Sequence, residues 1–287
     1  MIAIAGRPNV GKSTLMNAFL GQKLSIVSPR PQTTRNRIMG ILSEPGFQAV
    51  FLDTPGLLAP KYPLQESMVR AARRSVEESD LVLFLSDASS NPLDDLDAVR
   101  ALPKTGAPIF WIINKIDKLP KGTLLPVIDR GSVSGLFQEI VPISALKKDG
   151  TGRLLELIVA AMPAGEPFFP TDVVSQEPER FFVSEIIREA IFHRYGEEIP
   201  YSSAVVVEAF EEKTGRKDYI RAKIVLERDS QKGIIIGKGG SALKELGRRS
   251  REEIETFLGR PVFLELRVVV EPNWRKDIRK MKGLGYR

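Results

Sequence analysis

The 287-residue chain contains no cysteine, a single histidine and no long apolar run. Without cysteine there can be no disulfide and no thiolate-ligated zinc site, which fits a reducing cytosol. No stretch approaches the roughly 20 apolar residues that span a bilayer. The apolar start, residues 2–5, is too short for the core of a signal peptide. We therefore expect a cytoplasmic protein, long enough for two domains.

Basic residues exceed acidic ones, with a net charge of +6, and most of the excess lies after residue 180. This asymmetry favours a polyanionic partner for the second half of the chain.

A proline-rich segment, residues 164–180, separates the two halves. Proline continues neither a helix nor a sheet ladder, so the segment predicts a semi-rigid linker between domains at 1–163 and 181–287. Phe168 and Phe169 would be costly to leave in water, so we expect the linker to pack on one of the domains.

A phosphate-binding pattern stands near the start of the chain. Residues 6–13 read G-x-x-x-x-G-K-S, between the apolar residues 2–5 and the helical pattern of 14–20. A glycine loop between a strand and a helix N-terminus directs backbone N–H groups at phosphates, Lys12 reaches the β- and γ-phosphates, and Ser13 can ligate Mg²⁺. The predicted nucleotide contacts here are Asn9, Val10, Gly11, Lys12, Ser13 and Thr14.

The residues that would select the base of the nucleotide lie further along the chain. The buried-strand pattern of residues 109–113 runs into Asn114, Lys115 and, two positions on, Asp117. A carboxylate there can accept hydrogen bonds from guanine N1–H and N2–H, a donor pair that adenine lacks. Residues 144–146, Ser-Ala-Leu, follow another apolar stretch and offer a backbone N–H to guanine O6.

A third phosphate element is Asp53-Thr-Pro-Gly56, which follows the buried-strand pattern of residues 49–52. We expect Asp53 to hold Mg²⁺ through water and the Gly56 N–H to sense the γ-phosphate. Taken alone, the same four residues are also typical of a plain turn.

These four motifs, in this order and spacing, resemble the translation-factor-related class of small GTPases over roughly residues 1–160. The resemblance implies a doubly wound α/β fold, GTP and GDP as ligands, and a first switch loop at residues 32–37. It implies that Thr33 or Thr34 ligates Mg²⁺ in the GTP state, and we favour Thr34. Leu57 stands where Ras-type GTPases carry a water-positioning glutamine, so we expect slow intrinsic hydrolysis.

The same resemblance bears on cations and catalysis. Asn9 matches an asparagine that helps to hold K⁺ near the phosphates in relatives with a similar switch loop, although it could equally be a loop residue bonding its own backbone. The catalytic roles implied by the resemblance fall on Lys12, Thr34 and Gly56.

The second half has a different pattern of elements. It predicts, in order, a helix, two strands, two helices and a strand: 183–195, 203–210, 219–227, a helix before Gly237, 242–258 and 262–270. This α-β-β-α-α-β order, with Gly-Lys-Gly-Gly between two helices, resembles a type II KH domain and implies single-stranded RNA. The alternative is a glycine turn joining structural helices. The predicted RNA contacts are Ile234, Ile235, Gly237, Lys238, Gly239 and Gly240.

The tail, residues 273–282, is basic and helix-like. It either contacts RNA or the ribosome, or it is a solvated C-terminal helix with Trp274 docked on the sheet.

A GTPase joined to a KH domain, with Pro-Gln-Thr-Thr-Arg at 31–35 and Asn-Trp-Arg at 273–275, resembles the bacterial GTPases of small-ribosomal-subunit assembly. The resemblance implies the 3′ end of the small-subunit ribosomal RNA as ligand, and we expect a monomer. Two alternatives are a tRNA-modification GTPase subunit and a signalling GTPase whose basic tail contacts the inner face of the membrane.

Overall fold

Parallel strands that are buried on both faces form the centre of the first unit. Every residue of its first strand is buried, as expected where helices cover both faces of a sheet. The strands are β1 Ile2–Gly6, β2 Ile38–Glu44, β3 Phe47–Asp53, β4 Leu81–Asp87, β5 Ile109–Asn114 and β6 Glu139–Ile143. The sheet has the order β2-β3-β1-β4-β5-β6, and only β2 is antiparallel to its neighbour.

Helices lie on both faces of this sheet, so the predicted doubly wound α/β fold is confirmed. One core cluster joins Ala3, Phe84 and Trp111 of the sheet to Val76 and Val99 of two helices. The helices are α1 Lys12–Leu20, α2 Pro63–Glu77, α3 Leu96–Arg100, α4 Leu125–Val133 and α5 Thr151–Ala161.

The structure, a computed structural model, describes residues 1–120 and 122–286. Its contacts divide into two units, the first comprising Met1–Pro60 and Met68–Gln176, the second Lys61–Ser67 and the chain from Glu177 onward. The division after Gln176 falls inside the segment predicted as a linker. The assignment of Lys61–Ser67 to the second unit has no counterpart in the sequence prediction.

The segment before this division lies along the edge of the first unit's sheet. The Ile41 N–H of β2 donates to the Val174 carbonyl at 2.8 Å, and the Gln48 side chain exchanges two hydrogen bonds with the Phe169 backbone. The Phe168 side chain, which we expected to be packed, is 75% exposed. Hydrogen bonds to its backbone, rather than two buried rings, hold this segment.

The second unit has the predicted order of helices and strands, with one short helix added, and the predicted KH fold is confirmed. In its sheet, β7 is antiparallel to β8 and β8 is parallel to β9. Ile187, Ile220, Leu246 and Ile254 belong to its core. The elements are α6 Glu179–Arg194, α7 Ile199–Ser202, β7 Ala204–Glu211, β8 Asp218–Leu226, α8 Asp229–Ile236, α9 Ser241–Leu258, β9 Val262–Val270 and α10 Ile278–Gly283.

Trp274 anchors the C-terminal segment to this unit. Its side chain is fully buried, its indole Nε1 donates to the Ser202 carbonyl at 2.9 Å, and its ring stacks on Tyr286. The tail is therefore part of the folded unit.

Among the described residues, no helix is long and apolar enough to cross a membrane.

Candidate nucleotide site and RNA-binding loop

The loop between β1 and α1 is shaped by two glycines that nothing larger can replace. Gly6 has a φ of 141°, and a Cβ on it would lie 2.3 Å from the Leu85 carbonyl oxygen. Gly11 has a φ of 101°, and its Cβ would lie 2.2 Å from the Asn114 side-chain nitrogen. Both backbone conformations favour glycine. The loop therefore delivers the chain to the α1 N-terminus, where unpaired N–H groups and the helix dipole suit a phosphate.

Lys12 is held at this helix start. Its ammonium donates to the carbonyls of Gly6, at 3.2 Å, and Arg7, at 2.9 Å. Burial lowers the pKa of Lys12 to about 8, although the Asp53 carboxylate acts in the opposite direction. A buried cation with one facing carboxylate is suited to an incoming polyanion.

Ser13, Thr34 and Asp53 come together from a helix, a loop and a strand end. The Ser13 hydroxyl donates to Asp53 Oδ2 at 2.7 Å and lies 3.0 Å from the Thr34 hydroxyl, which is 3.4 Å from the same carboxylate oxygen. All three side chains are buried, and burial raises the pKa of Asp53.

This cluster fits a hard divalent cation. Asp53 Oδ1 is buried and has no hydrogen-bond partner among residues 1–120 and 122–286. Two hydroxyls and a carboxylate are oxygen donors of the kind that Mg²⁺ takes, with its remaining positions open to water and phosphate. Thr34 belongs to the cluster, and both threonines line the adjoining cavity. Which threonine ligates the metal stays a prediction.

The adjoining cavity has a polar floor formed by the phosphate loop and a wall formed by the segment before the switch threonines. It includes most of the predicted phosphate contacts, and the predicted contact Val10 is buried beneath it. The lining residues are Pro8, Asn9, Gly11, Lys12, Ser13, Thr14, Ile26, Val27, Ser28, Gln32, Thr33, Thr34 and Gly56.

Asn114 joins the base end of the site to the phosphate loop. Its Nδ2 donates to the Val10 carbonyl at 2.8 Å, and its Oδ1 accepts from the Ala145 N–H at 2.9 Å. Lys115 has a φ of 70° and donates to the Asn9 carbonyl at 2.7 Å. Three loops that are far apart in the sequence are thus fixed to one another.

Asp117, the predicted guanine reader, is exposed and oriented by a buried serine. Its Oδ1 accepts from the Ser144 hydroxyl at 2.6 Å. The Leu146 side chain is 72% exposed. The Ala145 N–H already donates to Asn114, so a contact from it to guanine O6 would be a shared hydrogen bond.

In the second unit, the Gly-Lys-Gly-Gly loop connects α8 to α9. Gly237, Gly239 and Gly240 all have a positive φ, at 70°, 59° and 78°. A Cβ on Gly237 would lie 2.6 Å from the Ala242 Cβ, whereas Gly239 and Gly240 have no neighbouring atom within 4 Å of that position. Lys238 is exposed. The loop is open to an incoming phosphate backbone on the side of its last two glycines.

Comparisons with known proteins agree with both halves of this description. The family model of the 50S ribosome-binding GTPases matches residues 1–115, and that of the KH domain matches residues 198–275. GTPase Era of Geotalea uraniireducens is 48% identical over 99% of this chain and 96% of its own length. GTPase Era of Heliobacterium modesticaldum is 44% identical with the same coverage. The chain belongs to the Era family of GTPases.

Solved Era structures have the same fold. The crystal structure of Era in complex with MgGDPNP and nucleotides 1506–1542 of 16S ribosomal RNA matches 99% of this chain and 97% of its own, with 42% identity and a TM-score of 0.96. An Aquifex aeolicus Era variant bound to GDP.AlF4- matches with 42% identity and a TM-score of 0.95. The resemblance to GTPases of small-subunit assembly is therefore confirmed at the level of the family.

One predicted RNA contact of this Era-family chain is wrong for its side chain. Ile235 is fully buried in the core of the second unit, and its carbonyl accepts from the Tyr195 hydroxyl at 3.2 Å. Ile234 is 55% exposed and retains a surface for a ligand. A run of three isoleucines has no periodicity from which the buried member could be identified, because the rotation of α8 is set by the core.

Sequence reasoning also missed two acidic residues at the nucleotide end. Asp87 accepts from Lys115 at 2.6 Å, and although burial acts to raise its pKa, hydrogen bonds from Lys115 and Ser89 lower it. Asp95 pairs with Arg7 of the phosphate loop at 2.6 Å, and burial raises its pKa. Asp87 ends the apolar strand pattern of β4, a signal like that of Asp53. Nothing local marks Asp95.

Leu57, which stands where Ras-type GTPases carry a water-positioning glutamine, is held through both its backbone and its side chain. Its N–H donates to the Gly6 carbonyl at 3.0 Å, and its side chain packs against the core cluster of Ala3 and Trp111. Because the side chain is apolar and packs into the core, it cannot orient a water molecule, in keeping with the slow hydrolysis we expect.

Proposed function

We propose that this protein binds GTP and GDP with Mg²⁺, hydrolyses GTP slowly, and binds the 3′ end of 16S ribosomal RNA during assembly of the small ribosomal subunit. The observation that carries the proposal is the buried cluster of Ser13, Thr34 and Asp53 beside Lys12. The Era relative solved with MgGDPNP and 16S ribosomal RNA supports it.

The phosphate end combines fixed and movable groups. Lys12 and the α1 N-terminus bind the β- and γ-phosphates, and Ser13, Thr34 and Asp53 hold Mg²⁺. Bound there, Mg²⁺ would neutralise charge on the phosphate oxygens. Thr34 and Gly56 lie on separate loops that converge at this end. Both loops can bind the γ-phosphate of GTP, and GDP lacks that group. The bound nucleotide therefore selects between two arrangements of the switch loops.

The base end provides specificity through few atoms. Asp117 accepts from guanine N1–H and N2–H, while Ser144 fixes its orientation. Asn114 and Lys115 contribute by holding the phosphate loop in register with the base. Adenine would leave the Asp117 carboxylate unpaired, which is the basis of discrimination.

A monovalent cation is a further part of the proposal. The Asn9 side-chain nitrogen donates to the Pro29 carbonyl at 2.8 Å, which ties the phosphate loop to the chain just before the switch loop. It leaves the side-chain oxygen as the donor atom for K⁺. Hydrolysis measured in KCl should be faster than in NaCl at equal ionic strength. Equal rates in the two salts would remove K⁺ from the site.

The Gly-Lys-Gly-Gly loop is the proposed RNA contact. Lys238 and the uncovered side of Gly239 and Gly240 face the phosphate backbone, and Ile234 offers an apolar surface to a base. Changing Lys238→Asp and Gly239→Asp together should abolish binding of single-stranded RNA, because one carboxylate would replace a cation and another would be added where glycine has no side chain. Nucleotide affinity should be unchanged. Unaltered RNA affinity would mean that the loop is only a turn.

The test of the nucleotide half compares two adjacent threonines. Thr34→Ala should slow Mg²⁺-dependent, single-turnover GTP hydrolysis by about tenfold or more, because a ligand of the GTP state is lost. Thr33→Ala is the matched control and should have a much smaller effect. Equal rates for the two variants, or a larger effect of Thr33→Ala, would contradict the assignment of Thr34.

We further propose that the protein acts as a monomer in the cytoplasm, where small subunits assemble. Sedimentation at several concentrations tests the oligomeric state. A peripheral contact with the inner face of the membrane is the alternative, and co-sedimentation with anionic phosphatidylserine vesicles tests it.

A further inference from the structure

The Arg7 side chain anchors the phosphate loop to a turn that lies far from it in the sequence. Its Nη2 donates to the Asp94 carbonyl at 2.7 Å, and its Nε pairs with the Asp95 carboxylate at 2.6 Å. Both acceptors belong to the short turn of helix at residues 92–95, between β4 and α3. None of these four residues is among the predicted nucleotide contacts. The loop is therefore held from outside the motifs that define the site.

The Asp95 carboxylate is itself fixed by the interior of the sheet. Its side chain is buried, and it accepts a hydrogen bond from the Ser86 hydroxyl of β4. Ser86 is fully buried and accepts in turn from the Trp111 indole Nε1 of β5 at 2.8 Å. A buried carboxylate is costly unless it is paired, so Asp95 has strong reason to keep its two partners. A chain of polar contacts thus connects the centre of the sheet to the phosphate loop.

The backbone of Arg7 acts on the phosphate-binding lysine. The Arg7 carbonyl accepts from the Lys12 ammonium at 2.9 Å, and the Gly6 carbonyl accepts from the same group at 3.2 Å. An ammonium has three N–H donors, so these two bonds leave one for a phosphate. Arg7 therefore faces Asp95 with its side chain and fixes the Lys12 ammonium with its carbonyl. A change at Asp95 would reach Lys12 through a single residue.

A second carboxylate acts on the other side of the loop. Asp87 accepts from Lys115 at 2.6 Å, and Lys115 donates to the Asn9 carbonyl at 2.7 Å. Lys115 belongs to the motif that selects the base, so this contact links the loop to the base end. The Asp95 contact is different, because it acts on the carbonyl that accepts from Lys12.

We propose that Asp95 is a positioning residue for nucleotide binding: by holding the Arg7 side chain, it keeps the Arg7 carbonyl where it orients the Lys12 ammonium toward the β- and γ-phosphates. The proposal rests on the nucleotide-binding function proposed above. It implies a loss that depends on the number of phosphates, since GMP has no β-phosphate for Lys12 to bind. A carboxylate that only stabilised the fold would not distinguish one guanine nucleotide from another.

The experiment uses the full chain with Asp95→Asn, which keeps the shape of the side chain and removes the charge that pairs with Arg7. The matched control is Asp97→Asn, two residues further on in α3, where the side chain is 91% exposed and pairs with Arg100 at 2.9 Å. A second variant, Arg7→Gln, removes the other partner. Affinities for GMP, GDP and the non-hydrolysable GDPNP are measured with Mg²⁺ by competition against a fluorescent guanine nucleotide. Thermal unfolding checks the fold.

Asp95→Asn should bind GDP and GDPNP about fivefold more weakly and GMP like the wild type. Arg7→Gln should show the same pattern, and the double variant should lose no more than either single variant, because the two side chains act as one unit. Asp97→Asn should change none of the three affinities.

An equal loss for all three nucleotides, no loss, or losses that add in the double variant would overturn the proposal. If Asp95→Asn does not fold, Arg7→Gln decides with the same comparison of GMP and GDP. A wild-type protein that binds no guanine nucleotide would instead refute the proposed function.

Discussion

Two loops in this molecule contain glycine for opposite reasons. In the phosphate loop, a Cβ on Gly6 or Gly11 would collide with atoms that belong to the protein. In the Gly-Lys-Gly-Gly loop, Gly239 and Gly240 face open space. The first loop is glycine-rich because the fold is already packed around it. The second is glycine-rich because its backbone is left-handed, and in the proposed RNA contact a ligand comes close to it. The comparison predicts different consequences for the same substitution.

Gly11→Ala should have the largest effect. The added methyl group would displace the Asn114 side chain, and alanine is strained at a φ of 101°. We expect GTP affinity to fall by about a thousandfold and thermal stability to decrease, because Asn114 joins the phosphate loop to residue 145. Isothermal titration and thermal unfolding measure both. A variant with wild-type GTP affinity would show that this contact is not what requires glycine.

Asp117→Asn tests the pre-ordered base end. The amide loses the paired acceptor for guanine, so GTP affinity should fall by about a hundredfold, while xanthosine triphosphate, with a carbonyl in place of the amino group, should bind better. Competition between the two nucleotides gives the ratio directly. Ser144→Ala, which removes the hydrogen bond but keeps the carboxylate, is the control and should weaken GTP without changing the preference.

The buried cation of the first loop predicts a pH effect. The free protein has a Lys12 pKa lowered by burial to about 8, and bound phosphates raise it. Below pH 8 Lys12 is already protonated and affinity should be flat. Above pH 8 binding must take up a proton, so affinity should fall by up to about tenfold per pH unit.

Titration at pH 7 and pH 8.5 in buffers of different ionisation enthalpy would detect that proton. Lys12→Arg should show no such uptake, because arginine stays charged. Without ligand, the unfolded chain binds more protons between about pH 8 and 10.5, so this group makes the free energy of unfolding rise over that interval.

Gly239→Ala should have the smallest effect. No atom blocks the new methyl group, so the cost is the left-handed φ of 59°, about 1 kcal/mol of stability. GTP affinity should be that of the wild type, and RNA affinity should fall only a few-fold, because the methyl group occupies space that the ligand backbone uses. A loss of stability as large as that of Gly11→Ala would contradict the difference between the loops.

The parts of the site that could be predicted from sequence are those whose functional side chains lie at a strand end or within a few residues of it. Lys12, Asp53 and Asn114 each follow an apolar strand pattern, and the structure brings their loops together because parallel strands end at the same edge of a sheet. The strands of the second unit could also be predicted, because the alternation of apolar and polar side chains along residues 262–270 is a local property of the sequence.

The missed features depend on neighbours that are remote in the chain. Asp95 is recognisable only once α3 lies beside the phosphate loop, because its partner Arg7 is 88 residues earlier. The burial of Ile235 depends on how α8 packs on Tyr195, the residue that follows α6. No local pattern encodes such contacts, which tertiary packing decides.

Strand β2 forms one edge of the first unit's sheet. The segment that lies beside this strand is the one that connects the two units. Ile41 and Met39 of that edge are hydrogen-bonded to Val174 and Ser175. An uncovered strand edge is a template for pairing with another copy of the chain. The connecting segment is hydrogen-bonded to this edge, so we expect it to hinder such pairing. Damage to it should lead first to insolubility, before GTP chemistry is lost.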